Sequence, residues 1–216
     1  MPETGPKRKL LDAAERLILE KGFDSISVRD ITGAVKANVA AVNYHFGSRE
    51  GLLDMVMFHA IEPLCEERTK LLEQAERQRA GKMVSVEDAL GIYVSSLIST
   101  AAKIKADQFK YLPLVGKSLL QPEARLSPIV SMLKVGISEK FLAALARACP
   151  SIPETDLASR WYFFDAGLNQ SLQTLSPNQD LEEILSSWVN FGIRGFSGKP
   201  PKNPAKDDPQ GQLFDF

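Results

Sequence analysis

Val39, Ala40, Asn43 and Tyr44 fall on one face of any helix that contains them, with Ala41 and His45 at its flanks. Small methyls beside an amide, a phenol and an imidazole make no nucleophile, base and orienter set. They make a recognition face. A helix with that face can enter a groove about 12 Å wide, bring its methyls to a thymine methyl and pair Asn43 two-pronged with adenine. The same residues also suit a surface helix of an ordinary bundle, and both readings stand at this level.

Two caps define the elements that must position this face. Ser27, three residues before Asp30, starts one short helix, and Asn38 starts the next. The space between the caps holds about two turns plus a connection at ~3.6 residues per turn. Val42 and Phe46, four apart, face inward. The outline is a helix-turn-helix. A preceding helix, Lys7 to Lys21, offers the stripe Leu10, Leu11, Ala14, Leu17 and Ile18, stops at Gly22 and is expected to close a three-helix core with Ile26, Ile31, Val42 and Phe46.

Three blocks carry a family resemblance: Leu-Leu-Asp-Ala-Ala-Glu-Arg-Leu-Ile-Leu-Glu-Lys-Gly-Phe from Leu10, Ser-Val-Arg-Asp-Ile from Ser27, and Asn-Tyr-His-Phe-Gly-Ser-Arg-Glu-Gly-Leu-Leu from Asn43. In this order and spacing, over roughly the first quarter of the chain, they resemble the TetR family of bacterial one-component transcriptional regulators. The resemblance implies a double-stranded DNA operator as partner. It places phosphate-positioning roles on Ser27, Tyr44, His45 and Arg49 and base-edge roles on Val28, Arg29, Val39, Ala40, Ala41 and Asn43, with Arg29 facing guanine. Asn38 caps the reading helix. Lys36 stands where the family usually has a turn glycine and adds a cation near the DNA backbone. Asn43 replaces a usual tyrosine, so an operator sequence does not transfer.

Composition agrees with a globular all-α chain. The 216 residues are 44% hydrophobic and 25% charged, with a net charge of −1. Residues 1–55 hold as many acids as bases, so DNA binding must rest on where charges sit, with Lys7 to Lys9, Arg29, Lys36 and Arg49 around the motif. Cys65 and Cys149 form no CxxC pair and read as core residues of a reducing cytoplasm. His59, Glu62, Cys65 and Glu66 recur at three and four on one helix but lack convergent ligands, so no metal or other cofactor is expected. The uncharged run Ala89–Ala102, 14 residues with four Ser or Thr, falls short of the ~20 apolar residues of a bilayer span. No membrane passage is expected, and the location is cytoplasmic.

About nine helices are expected. Residues 1–50 form the DNA-binding domain, 51–196 a larger ligand-binding and dimerisation domain, and 197–216 a disordered tail in which Leu213–Phe214 makes at most a weak contact. Ser48 caps a long fourth helix to about Gln78, with core positions Leu52, Val56, Ala60, Leu64 and Leu71, bent at Pro63. That bend is either a hinge or a fixed kink. After a polar break with Gly81, Ser85 opens a helix with the stripe Val86, Leu90, Val94, Leu97, Ala101 and Ile104. A helix over 106–120 is disturbed by Pro113 and Gly116. Ser127 caps the next before Pro128, with Ile129, Leu133, Ile137 and Phe141 inward. The last two helices run from Glu154 to about Leu175 and on from the Asp180 cap, the latter with Leu181, Ile184, Trp188 and Phe191 inward.

Trp161, Phe164, Trp188 and Phe191, with Gly167, Leu168 and Ser171 allowing close approach, suggest a four-helix homodimer interface; the family implies the same, its reading helices one DNA turn, ~34 Å, apart. The alternative is that the aromatics are simply monomer core. Phe58, Phe109, Leu112, Met132, Ile137 and Phe163 are expected to line a pocket for a small apolar effector. The segment Arg160–Gly167 and the third helix look like the branch whose repressors respond to fatty acids or fatty acyl groups, which implies a repressor released from a palindromic operator. Other readings are a helical lipid carrier or enzyme with a vestigial motif, and a ligand-independent DNA-binding protein. No catalytic set supports an enzyme.

Overall fold

A computed structural model describes residues 5–79 and 83–197. Among them are nine α-helices, one 3₁₀ turn at Glu123–Arg125 and no strand. The helices are α1 Pro6–Lys21, α2 Val28–Ala34, α3 Val39–Phe46, α4 Arg49–Gln78, α5 Val86–Lys103, α6 Gln108–Leu119, α7 Pro128–Ala148, α8 Glu154–Gln173 and α9 Leu181–Ser197. Gly81 and the tail beyond Ser197, with Leu213–Phe214, lie outside the described residues.

The N-terminal helices form where the local chemistry predicts them. Ser27 and Asp30 make a reciprocal capping box. Asn38 Oδ1 accepts the Ala40 N–H at 2.9 Å, and Ser48 Oγ accepts the Gly51 N–H at 3.0 Å. Leu10, Leu11, Ala14, Ile18, Ile31, Val42, Leu52 and Val56 are fully buried in one core that joins α1, α2 and α3 to the start of α4. Phe46 is half-buried against it.

The turn between α2 and α3 is tight because Thr32 O accepts the Ala37 N–H at 2.9 Å and Gly33 O accepts the Lys36 N–H at 3.3 Å. That pair of bonds is a Schellman closure, and it requires Lys36 at φ 52. A left-handed lysine costs about 1 kcal/mol that glycine does not. Lys36→Gly is expected to raise stability by about that amount in urea unfolding; an unchanged or lower midpoint would contradict the strain. Lys105, at φ 55, closes α5 by the same bonds, to Ala102 at 3.1 Å and from Ala106 to Ala101 at 2.9 Å. Nothing in its sequence neighbourhood marks that position.

The larger helical part departs from the expected stripes in specific ways. On α4 the buried row runs in steps of four, Leu52, Val56, Ala60, Leu64, Arg68 and Leu72. Passing over the charged Arg68 leads to Leu71, which is only half-buried. α4 and α6 continue through Pro63 and Pro113, since each proline removes only one backbone bond and sits amid packed neighbours. Gly116 is a close-approach position: a Cβ there would lie 2.6 Å from Asn169 O and 2.9 Å from Leu172 Cβ, so α6 rests directly on α8.

Ile104 lies beyond the last turn of α5 and is exposed, and α6 starts later than expected, at a cap formed by Asp107 on the Phe109 N–H. On α7 it is Val130, not Ile129, that is buried, and on α9 Leu185, Gly192 and Phe196 rather than Ile184, Trp188 and Phe191. An apolar stripe tolerates a rotation of one residue, and the neighbours decide it. The Ser127 hydroxyl makes no cap bond; instead the Ser127 N–H donates to Asp54 Oδ1 at 3.2 Å, tying the start of α7 to α4.

Candidate nucleic-acid interface and the cleft behind it

The α3 face is presented to solvent. Val39, Ala40 and Asn43 are exposed, Tyr44 is 85% exposed, and Ala41 and His45 are half-buried at its edges. Tyr44 packs edge-on against His45 with ring centroids 4.9 Å apart, which fixes both rings at the C-terminal end of the helix. Arg29 and Lys36 are exposed beside the face, Asn38 is exposed at its start, and Val28 is half-buried against the core. These exposed groups therefore stand on a packed three-helix base.

Two side chains expected at the phosphates are otherwise engaged. The Ser27 hydroxyl donates to Asp30 Oδ2 at 2.6 Å and accepts the Asp30 N–H at 3.2 Å, which holds the Asp30 carboxyl below its usual range. Its proton is spent within the chain. Arg49 Nε donates to Ile26 O at 2.8 Å and Nη2 to Phe23 O at 2.6 Å, so the guanidinium closes the loop between α1 and α2. Spacing along the chain could not show this, because the carbonyls lie 23 and 26 residues away.

Of the side chains expected at a dimer surface, three belong to the interior of a single chain. Trp161 stacks on Phe141 at 5.9 Å and meets Tyr93 edge-on at 4.7 Å, and Phe164 and Leu168 are buried. The turn of α8 then sends Tyr162 and Phe163 outward, 67% and 68% exposed, their rings 5.9 Å apart. Trp188 covers Gly167, where a Cβ would lie 2.6 Å from the indole, and Phe191 leans on Trp188 at 5.5 Å with its outer side exposed. Ser171 is half-buried, its hydroxyl bonded to Leu168 O.

The expected pocket residues do not surround one cavity. Leu112 and Ile137 are packed in the core, Phe58 is half-buried against it, and Met132 and Phe163 face solvent. Phe109 does line a cleft of ≈ 1230 Å³ that opens between α1, α4 and α6. Its walls include Ala60, Pro63, Tyr111 and Leu114, and Glu15 and Glu62 stand at it. Burial raises the carboxyl pKa of both; for Glu15, Arg8 opposes the rise and Asp12 adds to it, and for Glu62, Glu66 adds to it. Tyr111 Oη donates to Ala60 O at 2.9 Å, a buried bond that joins α6 to α4 beside this cleft. Among the described residues no grouping of three His, Cys, Asp or Glu could hold a metal, and no helix is long and apolar enough to cross a membrane.

Comparison with known proteins places these features. Residues 10–56 match the model of bacterial regulatory proteins of the tetR family. A probable HTH-type transcriptional regulator of Bacillus subtilis strain 168, YttP, is 35% identical over 69 residues; the match covers 32% of this chain and 31% of that protein, so the chain spans about a third of the curated relative it matches. Among solved structures, the ketosteroid transcriptional regulator KstR2 of Mycobacterium tuberculosis superposes with a TM-score of 0.63 at 14% identity, covering 89% of this chain and 95% of that one. The TetR family regulator PfmR of Thermus thermophilus gives 0.59 at 20% identity, with 87% and 98% covered. At such identities the likeness is one of fold, an N-terminal helix-turn-helix followed by a larger helical part. The family's model thus matches the segment that forms α1, α2, α3 and the start of α4, and the chain as a whole has the fold of these solved TetR regulators.

Proposed function

We propose that the chain works as a homodimeric, ligand-responsive DNA-binding regulator, a repressor released from a palindromic operator by a small effector with an apolar body. Residues 1–50 are the reading domain in this proposal and 51–196 the sensing and pairing domain. The observation that carries it is the outward face of α3, with Asn43 and Tyr44 exposed on a fully packed three-helix base. Pairing uses the exposed aromatic surface of Tyr162, Phe163, Trp188 and Phe191, a patch of the kind that marks an interface. The cleft beside α1 supports the sensing role, because whatever fills it bears on α1 and α4 together.

A gel shift on the DNA upstream of the chain's own gene, with and without a lipid extract, tests the whole reading. Retention that the extract abolishes is the expected result, and no retention under any condition overturns it. Within that assay Arg29→Ala is expected to lose about 1 to 3 kcal/mol of preference for one base pair. Selection from a randomised duplex pool measures it, and identical selected sites for both proteins would remove Arg29 from the base-reading set.

A further inference from the structure

The charges that line the cleft beside α1 differ in what surrounds them. Glu15 comes from α1 and Glu62 from α4, and both are half-buried. Among the described residues no Lys or Arg stands within ion-pairing distance of either. The bases of the cleft are committed elsewhere or reach water: Arg8 pairs with Asp12 at 2.7 Å, Arg16 with Glu20 at 3.5 Å and Lys110 with Asp107 at 3.9 Å, while Lys9 and Lys105 are exposed and Lys117 is half-buried on α6. Two carboxylates are thus left without a cation of their own.

Much of the remaining wall is apolar. Leu19 of α1, Pro63 of α4 and Phe109, Tyr111 and Leu114 of α6 line it, and Tyr111 has given its hydroxyl proton to Ala60 O. At ≈ 1230 Å³ the cleft has room for a small molecule. Burial pushes both carboxyls above their usual range, because apolar walls withhold the water that their charged forms need. An uncharged ligand would displace still more of that water and leave both acids uncompensated. An anionic head would add a third negative charge beside them.

We propose that this cleft takes a lipophilic cation, an ammonium or phosphonium group on an apolar body, with the charge held by Glu15 and Glu62 and the body laid against the α6 side chains. This rests on the ligand-responsive reading above and supplies the chemistry of its ligand. Aromatic faces such as that of Phe109 attract a cation in their own right. The two acids stand on different helices, and α1 shares one core with α2 and α3. A cation held between Glu15 and Glu62 therefore pulls on the base of the reading helix and on the long helix α4 at once.

The test uses the full chain and calorimetric titration, below micelle-forming concentrations, with decyltrimethylammonium, decanol and decanoate, which carry one alkyl body on a positive, a neutral and a negative head. The cation should bind about tenfold or more tighter than the alcohol, as a half-buried charge pair requires, and decanoate should bind weakest. Glu15→Gln and Glu62→Gln should each reduce that preference several-fold, and the double variant should abolish it while leaving alcohol binding as it was. Glu73→Gln, on α4 but not at the cleft, should leave it unchanged. Equal binding of cation and alcohol to the unaltered chain, binding of neither, tightest binding of decanoate, or a double variant that keeps the preference would each overturn the proposal. The first comparison needs no variant, so it decides even if a variant misfolds. The gel shift run in parallel separates the two levels: release by decanol or decanoate but not by the cation defeats the cation assignment and spares the regulator reading, whereas failure to retain DNA defeats the regulator and leaves the titration to judge the site.

Discussion

Arg49→Ala is expected to destabilise the N-terminal helices by about 3 kcal/mol, since it deletes two hydrogen bonds from a charged donor and leaves the carbonyls of Phe23 and Ile26 without their partner. The loop from Gly22 to Ser27 sets where α2 begins, so DNA affinity should fall with the loss of fold. Urea unfolding of the full chain and hydrogen exchange at the loop amides measure the first effect. Salt titration of DNA binding checks the second. If the guanidinium gripped a phosphate, the slope of log affinity against log salt would flatten by about 0.9; with the guanidinium turned onto the loop, the slope should stay as in the unaltered protein. Arg49→Lys should not rescue stability, because one ammonium cannot span two carbonyls that a planar fork reaches together. A stable Arg49→Ala protein with a flattened slope would return Arg49 to the phosphate-binding set.

Gly51→Ala has the second large effect, and its sign runs against helix propensity. Gly to Ala inside a helix usually gains up to about 1 kcal/mol. At Gly51, however, a Cβ would lie 2.2 Å from Phe46 O and 3.3 Å from Phe46 C, backbone atoms at the end of the reading helix. Either α3 or the first turn of α4 must move. Overpacking of this kind costs about 3 kcal/mol at its upper range, so a net loss of about 2 kcal/mol is expected, together with displacement of Tyr44 and His45 and weakened binding to every DNA sequence. Gly91→Ala is the control: the glycine is inside α5 with nothing within 4 Å of a Cβ, and its substitution should leave DNA binding intact and stability equal or higher. Thermal unfolding of the two variants side by side decides it. Equal midpoints would show that the α3–α4 joint yields without cost.

Both predictions concern a joint whose parts are legible in the chain and whose assembly is not. Ser27 with Asp30, Asn38, Ser48 and Ser85 with Asp88 cap helices as their spacing predicts, because capping is chemistry within three residues. Val42 inside and Asn43 and Tyr44 outside follow from ~3.6 residues per turn. Lys36 in a left-handed turn agrees with its standing where the resembled family has a turn glycine. These are local interactions, and the family's motif is built of them.

What the amino acids determined alone is therefore the all-α class, the helix starts, and a recognition face on α3. The tertiary structure decided which way each longer helix turns. It took Trp161, Phe164 and Leu168 into the core and left Tyr162 and Phe163 outside, it put Leu72 rather than Leu71 inward, and it gave Arg49 to a loop and Arg68 to the interior. A stripe three or four residues apart permits two neighbouring rotations of a helix, and hydrophobic burial, which has no direction of its own, chooses between them only through the shape of what is packed against it.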